Sequence, residues 1–180
     1  MTRTAVLAYS GGLDTSCAIA WLQEDYGFDE VVAVLVDVGQ EFDVEESVAR
    51  GDAAGAEVVV VDKVDAFAEE QVARALKTNA LYEGRYPLVS ALSRPVIAEA
   101  VASIAAELGA EAAVHGCTGK GNDQLRFELA FKATYPGVRV IDSSTSNSWP
   151  TSTRTATTSS KPYQSSFNQA RMQLVSRPPE

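Results

Sequence analysis

An α/β fold built on an open, doubly wound parallel sheet of about five strands is what residues 1–142 of this 180-residue chain predict. Two observations carry that reading. Short apolar runs without polar alternation recur along the chain, as strands buried on both faces require. Between them lie longer stretches in which apolar residues return at helical spacing. A third observation places the functional end of the sheet. Glycine-bearing segments directly follow three of the runs, and ligands of open α/β sheets bind at the carboxyl ends of the strands, near the point where strand order reverses.

The first run, 5–9, ends in Tyr9 and passes through Ser10-Gly11-Gly12 into a helix. Ala18, Trp21 and Leu22 fall on one face of that helix, leaving Gln23, Glu24 and Asp25 for water. Runs 31–36 and 57–61 are the next strands, with a helix over 44–54 between them. A helix over 65–76 follows, then one over 93–108 that Gly109 stops. Strand 112–115 ends at His115, the sole histidine, which reads as a structural residue. A helix over 123–135 is stopped by Pro136-Gly137, and strand 138–141 completes the pattern. Right-handed crossovers bring the segments after Tyr9, Val36 and His115 to one rim.

Composition narrows the function classes. Residues 1–142 hold 11 basic and 23 acidic side chains, whereas residues 143–180 hold four basic and one acidic. That excess of acid argues against a nucleic-acid surface or an anionic membrane as partner, both of which need clustered Lys and Arg. No apolar stretch is expected to reach the roughly 20 residues of a membrane span, and no leader precedes the first strand, so the cytoplasm is the expected compartment. Cys17 and Cys117 sit in neither a metal nor a redox spacing and read as small space-fillers.

The segment Ala8, Tyr9, Ser10, Gly11, Gly12, Leu13, Asp14, Thr15, Ser16 reads as a phosphate cradle. Adjacent glycines after a strand let several peptide N–H groups converge on one anion, and the next helix adds the positive end of its dipole. Ser10, Thr15 and Ser16 supply hydroxyl donors. Neither G-x-x-x-x-G-K-[ST] nor G-x-G-x-x-G opens the chain, which disfavours Walker-type and dinucleotide sites. The loop resembles the S-G-G-x-D-[TS]-S type of enzymes that split ATP between the α and β phosphates. The competing reading is a strand-to-helix turn whose glycines serve packing only. Asp14 is repelled by phosphate unless a cation intervenes, so it is expected to serve the helix N-terminus with possible metal contact. No separate metal-ligating set is expected.

A second segment, 115–128, mixes three glycines with charges of both signs, a pattern suited to a zwitterion. Lys120 and Arg126 can meet a carboxylate or phosphate, Asp123 an ammonium group, and Asn122 offers both a donor and an acceptor. The competing reading is a solvated ion pair on a glycine-rich loop.

Taken together, A-Y-S-G-G-L-D-T-S at 8–16, D-V-G-Q-E at 37–41, A-L-Y-E-G-R-Y-P-L at 80–88, A-L-S-R-P at 91–95 and H-G-C-T-G-K-G-N-D-Q-L-R-F-E-L at 115–129 resemble argininosuccinate synthase. The resemblance runs from about residue 4 to 142. It implies an adenine nucleotide alpha hydrolase-like fold and a ligase that joins citrulline to aspartate, releasing AMP and pyrophosphate through a citrullyl-adenylate. ATP is the implied nucleotide, normally accompanied by Mg²⁺. Carried over residue by residue, ATP falls on Ala8 to Ser16, with Val36 beside the adenine and Gly116 near the ribose. Citrulline falls on Tyr86, Ala91, Asn122 and Arg126, where Ala91 can contribute only through its backbone. Aspartate falls on Thr118, Asn122 and Asp123. Tyr86 has a competing reading as an aromatic packed under a loop.

Beyond Asp142 the resemblance stops, and residues 143–180 contain 16 Ser or Thr with no periodic apolar pattern. Disorder is the expectation there. Relatives continue into a second domain that closes the site and builds a homotetramer, so domain 1–142 with tail 143–180 is expected to be truncated, and its activity and tetramer doubtful. A reading-frame shift near codon 142 is one expectation that covers break and composition together, since in a GC-rich gene GAC and GTC codons read one base later begin ACG and TCG, giving Thr and Ser; a genuine flexible tail and a sequence error are the alternatives. The coding sequence tests this, since an alternative frame must then encode a family-like continuation. Two other functions stay open, a noncatalytic ATP-binding remnant and another adenylating ligase sharing the first loop.

Overall fold

The computed structural model describes residues 2–117 and 121–142. Strands β1 (Thr4–Tyr9), β2 (Glu30–Asp37) and β3 (Glu57–Asp62) alternate with helices α1 (Leu13–Glu24) and α2 (Val44–Ala53). A helical segment follows, with α3 (Val64–Ala66) and α4 (Ala73–Lys77) flanking a π-helical stretch, Phe67–Val72. A hairpin of β4 (Leu81–Tyr82) and β5 (Tyr86–Pro87) leads into α5 (Val89–Glu107). Strand β6 (Ala112–His115), helix α6 (Asn122–Thr134) and strand β7 (Arg139–Asp142) complete the described chain.

The main sheet has the order β3-β2-β1-β6-β7 and every pairing in it is parallel. Register is set from the centre outward: Thr4 stands beside Glu30 and Tyr9 beside Leu35, while Ala5 pairs with Ala112 and Leu7 with Val114. From β1 the chain proceeds to β2 and β3 on one side, then returns to β6 on the other. Strand order therefore reverses between β1 and β6, and the crevice that this creates lies where the two glycine segments leave the sheet.

Alternate residues of each central strand feed two cores, which explains the unbroken apolar runs. Ala5, Leu7, Val31, Ala33 and Leu35 join Ala18, Ile19, Trp21 and Leu22 of α1 on one face. Val6, Val32, Val34 and Ala113 join Ala98, Val101 and Ala105 of α5 and Phe127 and Phe131 of α6 on the other. The small residues of α5 bring that helix close to the sheet. Among the described residues α5 is, by length and composition, apolar enough to cross a bilayer, which corrects the expectation that no stretch approaches that length. Burial of Ala98, Ala100, Val101, Ala102 and Ala105 accounts for its apolarity.

Three further departures from the expected elements are present. Helix α5 begins at Val89 rather than 93 and runs through Pro95. The expected helix over 65–76 is interrupted by six residues of π geometry. The hairpin turns at Glu83 and Gly84, both with positive φ, closed by the Arg85 N–H donating to the Tyr82 carbonyl at 3.1 Å. This is the primed turn that fits strand twist, made with Glu where Asn or Asp is the usual signal. The expectations for residues 143–180 lie outside the described residues.

Candidate active site

The turn after β1 is held from behind by α2. Gly11 has φ +73°, and a Cβ there would sit 2.3 Å from Ser47 Oγ and 2.8 Å from Ser47 Cβ, so both conformation and space exclude a side chain. The Arg50 guanidinium donates to the Gly11 carbonyl and pairs with Glu46 on the same helix. Gly12 differs: its φ of −78° suits any residue, it is exposed, and a Cβ would meet only Ser10 Oγ, at 3.4 Å.

Gly12 is also the N-cap of α1, and no side chain caps that helix. The first-turn amides therefore lack the partner that Ser, Thr, Asn or Asp would give them at this position, which leaves donors and a positive dipole end for an anion. The neighbouring hydroxyls face inward. Thr15 Oγ1 donates to the Gly12 carbonyl at 3.1 Å and lies 3.1 Å from Ser10 Oγ; Ser16 Oγ donates to the same carbonyl at 2.9 Å and lies 3.0 Å from Tyr9 Oη. Tyr9 in turn donates to the Ser47 carbonyl at 3.1 Å. Thr15 and Ser16 are buried, and their hydroxyls shape the loop. Asp14 and Leu13 are exposed in the first turn of α1, where a carboxylate complements the dipole.

Val36 is the penultimate residue of β2, with its side chain in the α5-side core and its carbonyl accepting from Gln40 Nε2 at 2.9 Å. Gln40 Oε1 takes the Val38 N–H at 2.8 Å, so the D-V-G-Q segment is folded back by its own glutamine. Gly116, exposed, is the first residue after β6. Of the second segment, Thr118, Gly119 and Lys120 lie outside the described residues.

The α6 N-terminus carries Asn122, exposed, and Asp123, whose carboxylate is held between two guanidiniums. Arg126 Nη1 donates to Asp123 Oδ1 at 2.7 Å, and Arg94 Nε of α5 donates to Oδ2 at 3.3 Å. Each of the three is about one-third exposed, so the group faces solvent with one net positive charge. The pattern of residues brings Arg126 and Asp123 together as i and i+3 neighbours. Arg94 escaped notice because it stands 29 positions away; its place in A-L-S-R-P was the available signal. Ser47 and Arg50, which support the β1–α1 turn from comparably distant positions, were missed for the same reason; Gln40 instead folds back its own segment from two and four positions away.

Tyr86 is 61% exposed on the hairpin, which overturns the reading of an aromatic packed under a loop. Ala91 lies in the first turns of α5, four residues before Pro95. Proline has no N–H, so the Ala91 carbonyl is denied its helical partner. A backbone contribution from Ala91 is thus chemically available. Burial pushes the Cys117 thiol up to about 11, which keeps it protonated and unreactive at neutral pH.

Residues 4–159 match the family described as arginosuccinate synthase N-terminal HUP domain. The chain is 55% identical over 137 residues to an argininosuccinate synthase of Brevibacillus brevis, covering 76% of this chain and 32% of that one. It is 53% identical over 137 residues to the enzyme of that name from Saccharolobus solfataricus, covering 76% and 35%. The chain thus spans about a third of the length of the curated relatives it matches. Among solved structures, a predicted subunit of tRNA methyltransferase from Methanocaldococcus jannaschii superposes with a TM-score of 0.50 at 12% identity, covering 78% of this chain and 69% of that one. At that identity the likeness is one of fold.

Proposed function

The chain belongs to the argininosuccinate synthase family through its N-terminal HUP domain, and on that premise we propose that it binds ATP at the loop from Ala8 to Ser16 and presents citrulline and aspartate to it. The observation that carries the reading is the uncapped start of α1 behind Gly12, set at the reversal of strand order between β1 and β6. In the proposed reaction the citrulline ureido oxygen attacks the α phosphate, pyrophosphate leaves, and the aspartate amine then displaces AMP.

Main-chain amides at Gly12 and the first turn of α1 receive the phosphates, while Ser47, Arg50 and the buried hydroxyls keep that turn fixed before ligand arrives. Val36 borders the adenine and Gly116 the ribose. Tyr86, the Ala91 carbonyl, Asn122 and Arg126 hold citrulline, and Thr118, Asn122 and Asp123 hold aspartate. No side-chain nucleophile takes part. Mg²⁺ fits the donor set, because the exposed Asp14 carboxylate has no hydrogen bond or ion pair among the described residues and magnesium is commonly held by one carboxylate plus nucleotide phosphates. When bound, it would neutralise phosphate charge beside that carboxylate.

Pyrophosphate release by the purified chain, with each amino acid omitted in turn, tests the proposal. Release that requires citrulline and persists without aspartate supports adenylation. The short span relative to the relatives favours one second reading, a nucleotide-binding domain that does not turn over alone. ATP binding with no citrulline-dependent release would select it.

A further inference from the structure

His115 is fully buried at the end of β6, with its ring 5.2 Å from that of Phe127 and 6.0 Å from that of Phe131. Its Nδ1 accepts the Cys117 N–H at 3.3 Å. Its Nε2 has no hydrogen-bond partner among the described residues. Two acids face the ring, Glu128 from α6 and Asp142 from β7, and one ligating atom of each of the three residues lies within 4.8 Å of the others.

Such a trio suggests a divalent cation, but the hydrogen bonds oppose one. A neutral imidazole has a single N–H. Because Nδ1 accepts, the proton resides on Nε2, and neither ring nitrogen has a free lone pair for a cation. Metal-bound histidines use the reverse arrangement, donating the second N–H to an acceptor. The two carboxylates are moreover already bridged by Gln124, whose Nε2 donates to Glu128 at 2.8 Å and to Asp142 at 2.5 Å.

We infer that His115, neutral and protonated on Nε2, is a positioning residue for the ligand segment, its Nδ1 fixing the chain's first step out of the sheet toward Gly121, Asn122 and Asp123. A backbone amide two residues past the strand end would otherwise need another acceptor. The imidazole supplies it from a site locked by two phenylalanine rings, so the direction in which Gly116 and Cys117 leave β6 is set by the core. Burial holds the ring below its ordinary pKa, although Asp142, Glu128 and a backbone hydrogen bond at His115 itself act to raise it. The structural part stands on His115 and Cys117 alone, while the consequence for ligands rests on the function proposed above.

The chain has one histidine, so two-bond ¹H–¹⁵N spectra of the full chain report its tautomer directly. Expected at neutral pH is an unprotonated Nδ1 and a protonated Nε2, unchanged by one equivalent of zinc chloride. A proton on Nδ1, an imidazolium, or zinc capture of Nε2 would overturn the inference. Two variants separate positioning from bulk packing: His115→Asn keeps an acceptor near Nδ1, whereas His115→Gln places one near Nε2. ATP affinity should stay within about threefold in His115→Asn and fall about tenfold in His115→Gln, the scale of one hydrogen bond. Equal losses in the two, or none in His115→Gln, would count against it. Failure of the parent chain to bind ATP would remove the proposed function and leave the tautomer to decide the inference by itself.

Discussion

The two glycine segments that leave the sheet on either side of its reversal point are built on opposite principles. The β1–α1 turn has no basic side chain between Ala8 and Ser16; it offers backbone amides and a helix dipole, held by hydroxyls and by α2. The β6–α6 segment offers charged side chains, with Asp123 between Arg94 and Arg126 and a buried imidazole at its root. A cradle made of main chain is specified by what must be absent, so its sensitivity lies in steric freedom. A cradle made of side chains is specified by what is present, so its sensitivity lies in charge.

Substitutions should separate these two sensitivities. Gly11→Val is expected to have the largest effect, because it combines a left-handed backbone with a clash against Ser47. A loss of about 2–4 kcal/mol from strain and overpacking is expected in denaturant unfolding, and nucleotide binding goes with it. Gly12→Leu should leave the unfolding midpoint nearly unchanged, since its φ suits any residue, yet weaken ATP binding by about 100-fold or more, equivalent to roughly 3 kcal/mol. Loss of stability there, or retained affinity, would erase the distinction drawn between neighbouring glycines.

In the second segment Arg94→Met should follow the Gly12→Leu pattern in a smaller way. A one-third-exposed ion pair contributes at most about 1 kcal/mol to folding, so thermal unfolding barely moves, while calorimetric titration with aspartate in the presence of ATP shows weakened binding. Unaltered titration would remove Arg94 from the site. Cys117, on the same segment, should resist iodoacetamide at pH 8, because a thiol raised to about 11 is only about 0.1% thiolate there.

The smallest effect belongs to the far end of the sheet, where Arg3 donates twice to Glu111, at 2.9 Å each. The Arg3 hydrogen bonds hold the Glu111 carboxyl below its ordinary range. A depressed carboxylate contributes stability above its unfolded pKa and loses it as pH falls through the folded one. The modest advantage over Glu111→Gln at pH 7 should therefore vanish in acid, as thermal melts across pH can check.

How much was legible in the sequence follows the same division. The inner strands were readable because burial on both faces leaves nothing but apolar residues in 31–36 or 112–114. The strand-to-helix turn at 10–12 was readable because adjacent glycines after an apolar run mark such a turn. The hairpin was not, since Leu81, Tyr82 and Tyr86 are exposed and its turn residues are Glu83 and Gly84. The start of α5 was obscured by Pro95, which ordinarily marks a boundary. The pairing of Arg94 with Asp123 was invisible because only the packing of α5 on α6 creates it. Local pattern encodes strands and turns, whereas side-chain constellations across elements emerge from tertiary packing.

The central claim is that main-chain amides at the start of α1 grip the phosphates of ATP. Amide ¹H–¹⁵N spectra of the full chain titrated with ATP and magnesium test it most directly. The largest shifts should fall on Gly11, Gly12, Leu13, Asp14 and Thr15, with smaller ones at Val36 and Gly116. Shifts confined to other parts of the chain, or none at millimolar ATP, would contradict it.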